Sequence, residues 1–77
     1  MSEITDTLVN FIKSNLLDDE VELEPNSILK EVGLDSFSIV EIVLFIERKY
    51  GKLIPDHLMV PDTFISVHSI TTVIEKI

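Results

Sequence analysis

The first part of the chain carries a repeating pattern of apolar residues. They recur at three- and four-residue steps, at Ile4, Leu8, Phe11 or Ile12, and Leu16. Because this spacing puts side chains on one face of an α-helix, we predict a helix over residues 2–17. Ser2 or Thr5 can cap its start, and Asn15 together with the acidic pair at 18–19 indicates its end.

The segment after this helix is acidic and has no helical period. Residues 18–24 hold five carboxylates, and Pro25 then blocks continuation of a helix. We predict a long loop here, held against the core by the apolar residues that alternate with the acids. Residues 27–32 can form one helical turn, with Ser27 capping it and Gly33 ending it.

A second strong helix is predicted over residues 36–50. Two residues in succession before its apolar pattern, Asp35 and Ser36, have side chains that can cap a helix start. Gly51 follows the last residue of the pattern, which is where a glycine commonly ends a helix.

The last part of the chain predicts two more helices. Residues 54–60 have the pattern of a short helix that ends before Pro61. The final helix begins at Ser66 or Val67 and ends at Ile77. The chain is therefore predicted to be all-α, a small four-helix bundle with three main helices, one short helix and a long loop after the first helix.

The helix over residues 36–50 is apolar on two sides when its residues are placed at 100° per residue. One side forms an ordinary core stripe: Ile39, Ile42, Val43, Ile46 and Tyr50. The other side carries a second apolar stripe: Phe37, Val40 and Leu44. A bundle of 77 residues has no second layer to cover such a stripe. Either neighbouring loops cover it, or it is a docking surface rimmed by Glu41 and Glu47; we favour the docking surface.

Composition narrows the classes of function. The chain has 77 residues, 45% of them hydrophobic, which favours a folded single domain over residues 1–77. Fourteen acidic residues against six basic ones give a net charge of −8, which argues against nucleic acid or an anionic membrane as a partner. The absence of cysteine excludes disulfides, thiolate zinc sites and cysteine nucleophiles. Neither a signal peptide nor a membrane-spanning run is visible, so we expect a cytoplasmic protein without membrane insertion.

Catalytic and metal-binding patterns are missing from the sequence. His57 and His68 lie on different predicted helices without an acid at ligand spacing, so structural roles are expected for both. The acidic loop does not match a calcium loop, because Leu23 and Leu29 occupy the positions that need Gly and a bidentate Glu. A serine nucleophile would need a base and an oxyanion site, and no convincing pair is present. We predict neither catalytic residues nor metal ligands.

Ser36 is the residue best placed for chemistry. A hydroxyl at a helix N-terminus lies where free backbone N–H groups and the positive end of the helix dipole favour an attached or incoming phosphate. Gly33 permits the sharp approach that leaves Ser36 exposed. Taken alone, an Asp-Ser pair before a helix is an ordinary cap.

The surroundings of Ser36 resemble the attachment motif of the acyl carrier proteins. The similar segment covers residues 29–43 and has the sequence LKEVGLDSFSIVEIV. Further pairs follow in register at 46–47 (Ile-Glu) and 50–51 (Tyr-Gly), with Ile-Pro-Asp at 54–56. The resemblance extends over the whole chain, including its length, its acidic balance, its helical layout and its long first loop.

This resemblance implies that Ser36 is the site of 4′-phosphopantetheine attachment, with coenzyme A as the donor and a phosphopantetheinyl transferase as the enzyme. The terminal thiol of that arm would hold an acyl or aminoacyl group as a thioester, so the chain is expected to be a carrier and not an enzyme. Its expected partners are loading ligases and acyl-transferring enzymes with basic docking patches. The carrier itself is expected to be a monomer. The docking role falls by position on Asp35, Phe37, Val40, Glu41, Leu44 and Glu47.

Departures from the commonest fatty-acid carrier pattern leave the cargo open. Ser38 and Arg48-Lys49 stand where acids are frequent, and Phe37 and Phe45 are bulkier than the usual occupants. A phenylalanine after the serine is similar to the D-alanyl carrier proteins of teichoic acid modification. Fatty acid, polyketide and related specialised biosynthesis are the candidate settings, and a D-alanyl or other aminoacyl carrier is the alternative. A helical interaction module that carries no cofactor is a less favoured hypothesis.

Overall fold

The computed structural model describes residues 3–18 and 20–77. In chain order it contains α1 (Glu3–Asn15), α2 (Ser36–Tyr50), a first 3₁₀ turn (Asp56–Leu58), a second 3₁₀ turn (Pro61–Phe64) and α3 (Val67–Lys76). No strand occurs within the described residues, so the predicted all-α class is confirmed. None of the helices in this part of the chain has both the length and the apolar character needed to cross a membrane.

The end of α1 differs by two residues from the prediction. The regular helix ends at Asn15, although the backbone N–H of Leu16 still donates to the Ile12 carbonyl at 2.9 Å. Such fraying is ordinary at a helix end. The predicted cap at Ser2 and one residue of the predicted stop signal, Asp19, lie outside the described residues.

Thr5 is not a cap, because it lies inside the first turns of α1 and its side chain is buried. Its Oγ1 donates to Oγ1 of Thr71 in α3 over 3.0 Å. α1 packs against α3, so this hydroxyl pair joins the first and last helices of the bundle. The sequence pattern missed the pairing because the two threonines are 66 positions apart.

The acidic loop is held to the rest of the fold, as predicted. Of the apolar residues that alternate with its acids, Leu23 is buried and Val21 is half-buried, and further along the same connection Leu29 and Leu34 are buried too. Two backbone hydrogen bonds of 2.9 Å add to this packing, one from the Leu29 N–H to the Ile65 carbonyl and one from the His68 N–H to the Pro25 carbonyl. The loop therefore lies against the segment that leads into α3.

One helical turn forms within this loop. The N–H of Glu31 donates to the Ile28 carbonyl at 2.9 Å, and the turn ends at Gly33, both as predicted. The prediction that Ser27 caps the turn is wrong. The Ser27 hydroxyl instead accepts from the N–H of Glu24 at 3.0 Å, which closes a local turn on the N-terminal side.

The predicted short helix over residues 54–60 is wrong in its extent. Only the first 3₁₀ turn, Asp56–Leu58, is helical, and the second 3₁₀ turn begins at Pro61. Proline suits the first position of a helical turn because its φ is already close to the helical value and because an N–H at that position would have no partner within the helix. Pro61, interpreted from the sequence as a stop, therefore also starts the next turn.

The core lies where the helices and the loop meet. Its fully or almost fully buried apolar residues are Leu8, Ile12, Leu23, Leu29, Leu34, Ile42, Ile46, Ile54, Val67, Ile70 and Ile74. Phe11 of α1 and Phe45 of α2 add a stacked aromatic pair, with ring centroids 4.1 Å apart and planes 17° from parallel. Aliphatic side chains thus fill the interior, and an aromatic stack joins α1 to α2.

Candidate functional site

The entry into α2 is shaped by Gly33. Its φ is +102°, a conformation that residues with a Cβ rarely adopt. Just after it, Leu34 is buried and its N–H donates to the Leu29 carbonyl at 3.1 Å. This arrangement anchors the chain and leaves the next residues, Asp35 and Ser36, exposed at the surface.

Asp35 is the N-cap of α2. Its Oδ1 accepts from the backbone N–H of Ser38 at 2.9 Å and from the Ser38 hydroxyl at 3.2 Å. These hydrogen bonds, chiefly the one from the backbone N–H, hold the pKa of the Asp35 carboxyl below its ordinary value of 3.8. Asp35 is therefore ionised at neutral pH and fixes the helix start.

Ser36 is the first residue of α2, and its side chain is exposed. At this position the hydroxyl lies at the N-terminal end of α2, where the helix dipole favours negative charge, although the Ser38 N–H of the same turn is already capped by Asp35. The geometry predicted from the sequence for this hydroxyl is thus present.

An open groove of about 680 Å³ lies beside Ser36, and no sequence pattern predicted it. Its lining is mostly apolar: Ile28, Leu29, Lys30, Leu34, Asp35, Ser36, Ile39, Met59, Val60, Pro61, Phe64 and Ile65. Lys30 and Asp35 are the charged residues of this lining. The run of apolar residues at 58–60 is the one sequence feature that contributes to this groove, and its pattern indicates a short helix instead.

The second apolar stripe of α2 faces the solvent. Phe37 is 72% exposed, Val40 51% and Leu44 39%, so neighbouring loops do not cover them. Glu41 and Glu47 are half-buried beside this stripe. The core stripe on the other side is confirmed, since Ile42 and Ile46 are fully buried and the remaining members are half-buried.

The predicted site residues therefore form two adjacent groups on α2. Asp35 and Ser36 line the groove at the start of the helix, whereas Phe37, Val40 and Leu44 form the exposed stripe along its outer side. Within residues 3–18 and 20–77, no cluster of three or more His, Cys, Asp or Glu side chains could hold a metal ion.

Comparison with known proteins identifies the family. The family model described as a phosphopantetheine attachment site matches residues 6–74. The chain belongs to the acyl carrier protein family. It is 31% identical to an acyl carrier protein of Campylobacter hominis over 75 residues. The aligned region covers 97% of this chain and 89% of that relative.

Two solved structures share the fold of this carrier. One is a chain from a crystal structure described as an FAD-dependent dehydrogenase, 34% identical, with a TM-score of 0.79 over 88% of this chain and 99% of the matched chain. The other comes from the structure of the Bradyrhizobium japonicum glycine:[carrier protein] ligase complexed with glycylated carrier protein. It is 26% identical, with a TM-score of 0.73 over 91% of this chain and 92% of the matched chain.

Family membership makes this chain a carrier whose cofactor is covalently attached 4′-phosphopantetheine. The described residues fit such a group. An exposed hydroxyl at a helix N-terminus suits the phosphate end of the arm, and the apolar groove beside it can shelter the less polar remainder. When bound, the arm supplies a terminal thiol that holds an acyl group as a thioester.

Proposed function

We propose that Ser36 carries the 4′-phosphopantetheine arm and that residues 1–77 act as one carrier domain that presents a thioester-bound cargo to partner enzymes. The observation that carries this proposal is the position of Ser36, exposed as the first residue of α2 and part of the groove wall. Asp35, which caps the same turn, holds the helix start around that hydroxyl.

The loading step is a phosphoryl-type transfer catalysed by a separate transferase. The Ser36 hydroxyl loses its proton and forms an ester bond to phosphorus, while the pyrophosphate bond of coenzyme A breaks and adenosine 3′,5′-bisphosphate leaves. The carrier's own contribution is positional: the dipole of α2, together with the N–H groups of its first turn that Asp35 does not cap, favours the negative charge that remains next to Ser36.

Docking is assigned to the outer side of α2. The exposed stripe of Phe37, Val40 and Leu44 offers apolar area, and Glu41 and Glu47 offer negative charge at its edge. Together with the net charge of −8, this surface suits enzymes that have a basic rim around an apolar patch. Long-range attraction would speed encounter and would weaken with added salt.

The proposed cargo is an acyl or aminoacyl group. The glycylated Bradyrhizobium carrier supports the aminoacyl form, because this chain is similar to it over nearly its whole length. The Campylobacter relative, an acyl carrier protein, supports an acyl cargo. Fatty acid, polyketide or related specialised biosynthesis is the setting that we propose for it. The proposed partners are a loading ligase, acyl-transferring enzymes and a phosphopantetheinyl transferase. We propose that the carrier is a monomer and acts in the cytoplasm, where coenzyme A is available.

Intact-mass measurement tests the proposal. The purified chain is incubated with coenzyme A and a promiscuous phosphopantetheinyl transferase. We expect wild type to gain the mass of one phosphopantetheinyl group and Ser36→Ala to gain nothing. Ser38→Ala is the matched control, because it removes a neighbouring hydroxyl from the same turn and should still be loaded. Loading of Ser36→Ala would overturn the assignment of Ser36, because another residue would then carry the arm. No loading of wild type would favour an interaction module without cofactor.

A further inference from the structure

The exposed stripe of α2 continues into a basic residue near the C-terminal end of the helix. At about 100° per residue, Arg48 lies about 20° round the helix from Phe37 and about 40° from Leu44. It stands one turn beyond Leu44, about 6 Å farther along the axis. All three side chains are exposed. The face of α2 that carries the apolar stripe therefore ends at an exposed guanidinium group.

The side chain of Arg48 is not engaged by the fold. It makes no hydrogen bond or ion pair with any residue in the described ranges 3–18 and 20–77. The positions three and four residues away, where an acid on the same helix could reach it, hold two apolar residues, a glycine and a lysine. That lysine, Lys52, is engaged, because its Nζ donates to the Ile74 carbonyl at 3.1 Å. Arg48 thus keeps its five N–H donors for a group outside this part of the chain.

The other end of the same face carries negative charge. Asp35 is exposed and ionised at the helix start, and Glu41 lies beside the stripe, about 40° from Phe37. Glu47 borders the opposite edge, about 100° round the helix from Arg48. Asp35 and Arg48 are separated by about 20 Å along the axis. Opposite charges at the two ends of one apolar face favour a single orientation of a complementary surface.

A basic residue in the last turn of a helix also stabilises the helix through its dipole. Lys49 supplies the same charge in the same turn, but it lies about 100° farther round the helix, away from the stripe. The dipole acts on both residues alike, whereas a partner seated on the stripe meets only Arg48. Lys49 is therefore a matched control for Arg48.

We propose that partner enzymes seat on this face in one orientation, with a carboxylate of the enzyme opposite Arg48 and a basic group opposite Asp35 and Glu41. The inference rests on the proposed attachment at Ser36 and adds an acidic group to the surface of its partners. Because Ser36 directly follows Asp35, the opening that receives the arm lies beside the basic group of the enzyme. The carboxylate lies about 18 Å from that opening, the axial distance from Ser36 to Arg48.

Two stapled helical peptides with the same leucine stripe serve as probes of the face. Peptide A has lysines at both ends, whereas peptide B has lysines at one end and glutamates at the other. Fluorescence anisotropy gives their dissociation constants for wild type, Arg48→Glu and Lys49→Glu. The two variants have the same net charge, so long-range attraction affects them equally. We expect the ratio of the dissociation constant of B to that of A to be about threefold higher for Arg48→Glu than for Lys49→Glu.

Equal ratios in the two variants, or no binding of either peptide to wild type, would overturn the inference. Thermal unfolding should show similar losses of Tm in both variants, because both charges belong to the last turn of α2. The ratios are measured on the chain without its cofactor. They are therefore independent of the intact-mass test, so a failure of Ser36 loading and a failure of the Arg48 contact are separate results.

A spin label on peptide B tests the orientation. Attached at the lysine end, it should broaden the backbone NMR signals around Asp35 more than those around Arg48 in the wild-type complex. Attached at the glutamate end, it should give the reverse pattern. Equal broadening at both ends of α2 from either label would contradict a single orientation.

Discussion

Two hydrogen bonds between Asp35 and Ser38 cap the start of α2. Oδ1 of Asp35 accepts from the backbone N–H of Ser38 at 2.9 Å and from its hydroxyl at 3.2 Å. The residue before the proposed attachment serine and the residue two positions after it are thereby tied together. The turn that presents Ser36 is consequently held by these local hydrogen bonds as well as by the buried Leu34 that precedes it.

Replacing Asp35 should therefore loosen the presentation of Ser36. We expect Asp35→Ala to lower the Tm, because the first turn of α2 loses its side-chain cap. Asp35→Asn should retain most of the stability, since an amide oxygen can still accept from the Ser38 N–H. Thermal unfolding followed by circular dichroism measures both. Equal loss in the two variants would mean that the charge of Asp35, and not its capping hydrogen bond, supplies the stabilisation.

The contribution of Asp35 should also depend on pH. Its pKa is lowered in the folded state, so the unfolded chain binds the proton more readily than the folded one. The part of the stabilisation that depends on the Asp35 charge is thus present above the ordinary pKa of 3.8 and is lost as the pH falls through the lower pKa of the folded state. We expect the Tm difference between wild type and Asp35→Asn to shrink between pH 7 and about pH 2. A difference that stays constant over this range would contradict the assignment.

Phe37 should matter for partner enzymes and not for folding. Its side chain is 72% exposed, so Phe37→Ala should change the free energy of unfolding by no more than about 0.5 kcal/mol. Transfer of cargo to or from a partner enzyme should slow, because the apolar stripe loses its largest member. Leu53→Ala is a suitable control, since Leu53 is 70% exposed but lies outside α2. Equal slowing in both variants would argue against a docking role for the stripe.

Glu41 offers a test of the electrostatic part of docking. We expect Glu41→Lys to reduce the rate of transfer more than it reduces Tm, because a positive charge would face the basic rim of the partner. Glu75→Lys changes the net charge by the same amount on α3 and should have a smaller effect. The difference in transfer rate between the Glu41→Lys and Glu75→Lys variants should become smaller as salt is added. Parallel losses of rate and Tm in Glu41→Lys would indicate a structural role instead.

The hydroxyl pair of Thr5 and Thr71 should be energetically coupled. Thr71→Val removes the acceptor of a buried hydrogen bond, at a cost of about 0.5–1.5 kcal/mol in the free energy of unfolding. The double variant Thr5→Val/Thr71→Val should lose less than the sum of the single variants, because both single variants break the same hydrogen bond. Urea denaturation of the four proteins gives the coupling energy. Simple additivity would mean that the 3.0 Å contact contributes nothing to joining α1 and α3.

Gly51 should be sensitive to the addition of a side chain. It ends α2 with φ +65°, and its N–H donates to the Glu47 carbonyl at 3.0 Å. Gly51→Ala should destabilise the fold by about 1–2 kcal/mol through backbone strain alone, since an added Cβ would meet no atom within 4 Å. Gly51→Asn should lose less, because asparagine tolerates this conformation better. The free energy of unfolding is measured by denaturant titration. A Gly51→Ala variant that is more stable than wild type would contradict the expected backbone strain.

Local sequence signals were sufficient for the parts of the molecule that local chemistry controls. The bounds of α2 and the cap at Asp35 follow from a helical apolar period, an Asp-Ser pair and a closing glycine, all of which act within a few residues. The exposure of Phe37 followed from helical angles together with the small size of the chain. The same segment carried the resemblance to the acyl carrier proteins.

The groove, the Thr5–Thr71 pair and the Phe11–Phe45 stack were decided only by the tertiary structure. Each joins segments that are distant in sequence, so no periodic pattern reports their distance from one another. The groove exists because the second 3₁₀ turn, which packs against α3, faces the start of α2. The sequence by itself determined where Ser36 would stand; the packing of remote segments determined what lies beside it.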